Sequence, residues 1–257
     1  MKTMTAWERV VNAMEFKPVD RIPIFDLIHH IPLLEYCTGE KVTLENGLDL
    51  LCKTISMNLD ATRGISPPVE EKVIVHEDGF VYKQEWWTTW LIERPFKDPA
   101  GLKEYIKRNI DEIRDYKPGD MWTFAGKGNV WGQSQKSPKE QFLELQEKLG
   151  DTVLFPAESP VGLDTAYIRA GIDLFSYGYM EYPELISEWL EALNEAEIKR
   201  VHDTADPTLS PVALVFADMA FKNTLMFSPK FLRREFFPRL KKLVDAWHSH
   251  GIKVIFH

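Results

Sequence analysis

Five short apolar runs, at residues 22–26, 59–63, 152–155, 211–216 and 252–257, are separated by longer amphipathic stretches, and this alternation constrains the chain more than any other feature. Runs this short and this apolar suit strands buried on both faces, which form parallel sheets covered by helices. Parallel strands need long crossovers, and the intervening stretches supply them. Thr5-Ala6-Trp7-Glu8 is a capping box that starts a helix running to near Phe16. Residues 48–58 have helical periodicity. Three further starts share a capping residue followed by proline: Asp98-Pro99, Ser137-Pro138 and Ser228-Pro229. Pro183 opens a long helix over 182–203, and Pro238 predicts a kink inside the helix that begins at Pro229.

One segment breaks the rhythm. Asp78-Gly79 lies between alternating runs within residues 73–82, a strong hairpin signal. An antiparallel hairpin inserted at about residues 69–96 is therefore expected. Trp86, Trp87 and Trp90 follow it closely; they suit packing of the hairpin onto the domain, a substrate lid or a subunit interface.

Composition excludes several classes. The 39 acidic against 31 basic side chains give a net charge of -8, and no dense Lys/Arg stripe is present, so nucleic acid is not an expected partner. Cys37 and Cys52 alone make no disulfide framework and lack the spacing of a thiol zinc clip. No apolar run approaches the ~18 residues that span a bilayer, so no membrane association is expected. The N-terminus carries no secretory h-region. The reading is one cytoplasmic enzyme domain over residues 1–257.

Chemistry in parallel α/β folds collects at the C-terminal ends of strands. The residues there are Asp26 with His29 and His30, then Arg63, Glu158, Asp218 and His257. Each has an ordinary use: Asp26 as a helix cap, Arg63 in an ion pair, Glu158 in solvent, His257 in a plain hydrogen bond. Asp218 is harder to dismiss, because it follows the buried run 212–216, where a carboxylate is costly unless paired or used. His248 and His250 end a helix, where the dipole favours cations, and read as structural; His76 and His202 read as surface residues.

Two blocks carry a family resemblance. Glu8-Arg9-Val10, Phe16-Lys17-Pro18-Val19-Asp20-Arg21-Ile22-Pro23, and later Asp218, Phe227-Ser228-Pro229, Phe236-Phe237-Pro238 and Gly251-Ile252-Lys253-Val254-Ile255-Phe256-His257, resemble the uroporphyrinogen decarboxylase superfamily in order and spacing. The fold this implies is a TIM-type (β/α)8 barrel, here with about five parallel strands and thus C-terminally incomplete. Five strands of this pattern leave a sheet edge open, so this chain by itself is expected to be inactive.

The resemblance offers two activities. True decarboxylases carry Arg-Gln-Ala-Gly-Arg after the first strand, a grip for substrate carboxylates. This chain has Asp26-Leu27-Ile28-His29-His30-Ile31-Pro32 there, and so stands closer to the methyltransferase-like branch. That branch implies methyl transfer between a small methylated compound or thiol and a corrinoid carried by a partner protein. It also implies zinc held by a histidine after the fifth strand and by two later cysteines, and His257 matches that histidine. The expected roles are Asp218, Asp26, Glu158 and His29 in catalysis, His30 and Arg63 in substrate binding, and His257 on the metal, with a homodimer as an allowed assembly. The alternatives are tetrapyrrole decarboxylation, with Asp218 on the pyrrole nitrogens, and a binding protein that kept the fold and lost its site.

Overall fold

The structure, a computed structural model, describes residues 3–86, 88–115, 122–123, 126–127, 138–156 and 158–257, with the backbone only for residues 122, 123, 126, 127, 138 and 158. The chain opens with α1 (Ala6–Met14), and the Thr5–Glu8 capping box closes as expected, Thr5 Oγ1 accepting from the Glu8 amide at 3.1 Å. Next come α2 (Ile31–Thr38), α3 (Gly47–Asn58) and strand β1 (Ala61–Thr62). A meander follows: β2 (Lys72–Val75), β3 (Val81–Glu85) and β4 (Thr88–Glu93). Then come α4 (Pro99–Arg114), the short strands β5 (Trp122–Thr123) and β6 (Gly126–Lys127), and α5 (Pro138–Leu149). The second half runs β7 (Val153–Leu154), β8 (Glu158–Pro160), α6 (Leu163–Ala170), α7 (Ile172–Glu181), α8 (Pro183–Thr204) and β9 (Val212–Phe216). It ends with α9 (Pro229–Phe231), a π turn (Leu232–Phe236), α10 (Phe237–Ser249) and β10 (Lys253–Phe256).

The parallel strands lie side by side in chain order. Phe25 bridges Ala61, β1 pairs with β7, β8 pairs with β9, and β9 pairs with β10. Two of the expected strands are shorter or broken, for one reason. Proline donates no ladder hydrogen bond. Pro23 leaves the first strand as a single bridge at Phe25, and the third strand divides at Pro156, so that β7 serves one neighbour and β8 the other. Alternate residues of β9 face different layers: Ala213 and Val215 pack with Trp189, Leu243 and Trp247 of the covering helices, while Val212 and Leu214 pack with Val10, Ala61, Val153 and Phe155. Among the described residues these parallel strands form part of an α/β barrel-like layer, and no described helix is long and apolar enough to cross a membrane.

Two expectations change in detail. The hairpin is a three-stranded meander, because residues 88–93 add a second antiparallel pairing to β3. Its first turn is wider than a two-residue Asp-Gly turn: His76 N–H donates to Phe80 O at 2.9 Å, and Gly79 takes φ +84°, a left-handed position that suits glycine. Trp86 packs inward at 8% exposure, Trp90 stays half-exposed, and Trp87 lies outside the described residues. Pro238, for its part, is accommodated by the π turn just before it, where Phe237 N–H donates to Leu232 O.

The N-terminal helix is locked to the sheet by charge. Asp60, 2% exposed, accepts from Arg9 Nη1 at 2.6 Å, from Arg21 at 2.5 and 2.8 Å, and from the Ile24 amide at 2.8 Å. Burial opposes ionisation of Asp60, but the Arg21 and Ile24 hydrogen bonds and the Arg9 contact hold its carboxyl below the usual carboxylate range. The Glu8-Arg9-Val10 and Asp20-Arg21 motifs therefore have a structural use. Removing one partner of such a buried pair strands the others, at a cost of about 3–5 kcal/mol. Asp60→Ala is accordingly expected to lower the urea unfolding free energy by about 3 kcal/mol; a loss under ~1 kcal/mol would show that the network is not structural.

Candidate active site at the strand ends

The C-terminal ends of the parallel strands bring together residues from five separate stretches of sequence. Arg63 follows β1 and is turned by Gly64 at φ +57°. Burial depresses the Arg63 pKa, and the negative charge of Asp218, at the end of β9, partly restores it. His29, on the loop after Phe25, stands edge-on to the buried Trp86 with ring centroids 6.1 Å apart. Burial lowers its pKa and the Arg63 charge lowers it further, so that neutral imidazole is the favoured form. His29, Arg63 and Asp218 thus share one electrostatic neighbourhood.

Two residues overlooked in the sequence complete it. Asp164 lies in the first turn of α6, 2% exposed. Its Oδ1 accepts from the Asp218 amide at 2.8 Å and from the Tyr167 hydroxyl at 2.9 Å. Its Oδ2 is buried with no hydrogen-bond partner among the described residues. Burial is the main reason its pKa is pushed up to about 6; the Asp218 charge adds to the rise, and the two hydrogen bonds oppose it. Tyr167 is held well above the ordinary phenol range by burial and by Asp164. A carboxyl that titrates near neutrality beside a tyrosine can give or take a proton at working pH. The placement depends on Gly162, at φ +114°, where a Cβ would sit 3.1 Å from Leu193 Cβ, so that the turn into α6 can press against α8. The missed signal was the acidic first turn of a helix directly after a strand.

The other expected site residues fall as follows. The Asp26 carboxylate accepts from the adjacent Leu27 amide at 2.7 Å, while its carbonyl accepts from Thr62 Oγ1 at 2.9 Å, which ties the first loop to the end of β1. His30 caps α2 through its carbonyl, which accepts from Leu33 and Leu34, and its side chain is exposed. Glu158 stands inside β8, opposite Leu214, rather than at a strand end, because the third strand resumes beyond Pro156; its side chain lies outside the described residues. His257 is exposed beyond β10, with its amide donating to Val215 O and its carbonyl accepting from Ala217 N. That pairing puts it next to the strand end bearing Asp218.

A tight zinc site needs about three protein ligands. Among the described residues no group of three or more His, Cys, Asp or Glu side chains is arranged to hold a metal ion. Cys52 is buried in α3, its thiol pushed up to about 11 by burial, and Cys37 lies on α2. The described residues do not form a zinc centre around His257. A cleft of about 580 Å³ lies elsewhere, between α8 and the π turn. Arg114 pairs there with Glu188, and Glu235 with Arg234 and Arg239, so these charges are already paired.

The raised pKa of Asp164 predicts a pH-dependent stability. An acid moved from 3.8 to about 6 by folding destabilises the fold as it ionises. The loss begins as pH rises past the unfolded value and is complete above the folded one, amounting to roughly 3 kcal/mol. Asp164→Asn keeps an acceptor for Asp218 and Tyr167 but cannot ionise. Relative to the native chain it should gain stability between pH 4 and about pH 6 and level off by pH 7 in urea titrations; a difference constant across that interval would refute the assignment.

No protein-family model matches this sequence, and no curated protein matches it. Among solved structures, the chain is similar to a methyltransferase from Methanosarcina mazei, with a TM-score of 0.60 and 17% sequence identity over 99% of this chain and 69% of that one. At that identity the likeness is one of fold.

Proposed function

We propose that this chain belongs to a methyltransferase-type α/β barrel protein that, as a whole, exchanges a methyl group between a small methylated donor or thiol and a corrinoid held by a separate partner protein. The observation that carries this reading is the group Asp164, Tyr167 and Asp218 at the strand ends, with Arg63 and His29 alongside. The fold similarity to a methyltransferase adds support. Methyl transfer away from oxygen, nitrogen or sulfur leaves a heteroatom that must gain a proton, and methylation of a thiol requires that one be lost. The corrinoid supplies the methyl-accepting or methyl-donating metal centre, and the chain supplies the proton handling. Asp164, with its titration near neutrality, is the group suited to that task, and Tyr167 extends it toward the Asp218 carbonyl at 3.4 Å. Arg63 offers a half-buried cation for an anionic donor or its leaving group. Neutral His29, perpendicular to the Trp86 ring, adds an apolar ring face with hydrogen-bonding nitrogens near Arg63.

The test is a reconstituted assay of the whole barrel protein with reduced corrinoid and a panel of methoxylated, methylated-amine and thioether donors, in which methylated corrinoid is read by its absorbance. Turnover with at least one donor is expected. Asp164→Asn should lower the rate by about 10²-fold or more, as loss of a general acid does, while Arg63→Gln should act mainly on KM for anionic donors. Absence of methyl transfer from every donor, together with release of carbon dioxide from a porphyrinogen carboxylate, would overturn the reading in favour of decarboxylation.

A further inference from the structure

The sheet has a second end, away from the residues described above, and two histidines meet there. His202 lies in the last turn of α8, and His250 is the C-cap of α10. Nδ1 of His202 and Nε2 of His250 are 2.9 Å apart, with the rings tilted at 50° and their centroids 5.2 Å apart. His250 precedes β10 and His257 follows it, so that the pair and His257 stand at opposite ends of one strand. His202 is exposed and His250 half-buried, which leaves the pair open to solvent.

We propose that this pair is a two-nitrogen chelate for a late first-row divalent cation, Ni²⁺ or Cu²⁺ above Zn²⁺. Three independent features point to it. Neutral imidazole is the side chain these ions prefer. The two helices end at the same place, and their C-terminal dipoles together favour positive charge between them. The hydrogen bond already holds the two nitrogens at the separation of a right-angled bite: nitrogens 2.9 Å apart, each about 2.05 Å from a common centre, subtend an angle near 90°. That is the cis angle of a square-planar or octahedral ion, not the wider tetrahedral angle of zinc. No third His, Cys, Asp or Glu completes a cluster among the described residues, so water fills the remaining positions and the ion exchanges readily. The ring that donates N–H to its neighbour shifts that hydrogen to its other nitrogen, and both rings turn off the hydrogen-bond line so that their lone pairs meet at the ion. By joining the ends of α8 and α10, the ion would stabilise the packing of the two helices against the sheet.

Isothermal titration of the full chain without an affinity tag, using Ni²⁺, Cu²⁺ and Zn²⁺ separately, tests the proposal. One equivalent of Ni²⁺ is expected to bind. His202→Ala and His250→Ala should each weaken it at least tenfold, and His257→Ala should leave it unchanged. Both histidines are accessible, and circular dichroism of the variants confirms folding independently of metal. The electron paramagnetic resonance spectrum of the Cu²⁺ form should show coupling to two ring nitrogens and lose it in either variant. No binding, or binding insensitive to either substitution, would overturn the site. Zinc bound more tightly than nickel would overturn its right-angled geometry.

Discussion

Asp60 is a carboxylate almost sealed from solvent, at the point where the first loop, the first helix and the second strand meet. Four hydrogen bonds reach it, one from Arg9, two from Arg21 and one from the Ile24 amide. Arg9 also grips Asp20, at 2.7 and 2.9 Å, and the Met4 carbonyl. The Asp60 backbone continues the lock, since its amide donates to Ile24 O and its carbonyl accepts from Val153. A single residue thus connects the first three parallel segments and seats α1 against them. A lone buried charge there would be costly, but a fully paired one fixes geometry. The strand ends are therefore held in register before any substrate is considered.

Held in this way, the sheet delivers polar residues to one rim. Arg63 and Asp218 end neighbouring regions of the sheet, while α6, entered through Gly162, brings Asp164 up beneath the Asp218 amide. The balance at Asp164 is set by burial against two hydrogen bonds, and burial wins. Asp218 donates its amide to Asp164 but is itself exposed. Two carboxylates in different surroundings are a common basis for dividing acid and base roles. The opposite end of the sheet, with its paired histidines, is set by helix ends rather than by strand ends.

Much of this was legible in order along the chain. The strand runs, the capping box at Thr5, the proline-led starts of α4, α8 and α9, and the insertion after β1 all follow from local patterns, since capping and periodicity act within a few residues. Arg63, Asp218 and His29 could be singled out because strand ends are visible in sequence. Local patterns failed where proline edited the ladder, at Phe25 and at the break after β7, and where residues 88–93 found β3 as a partner.

What the sequence by itself determined is therefore the alternation of strands and helices and the identity of the residues carried to the strand ends, because hydrophobic period and helix capping are properties of neighbouring residues. Only the tertiary structure decided which of those residues meet. Asp164 reaches the Asp218 amide across 54 positions, and His202 reaches His250 across 48. Neither contact has a local signature: the first arises where the start of α6 packs under the end of β9, and the second where α8 and α10 end side by side. The proton-handling carboxyl and the histidine pair are both products of that packing, and burial, which no single position encodes, gives Asp164 its titration near neutrality.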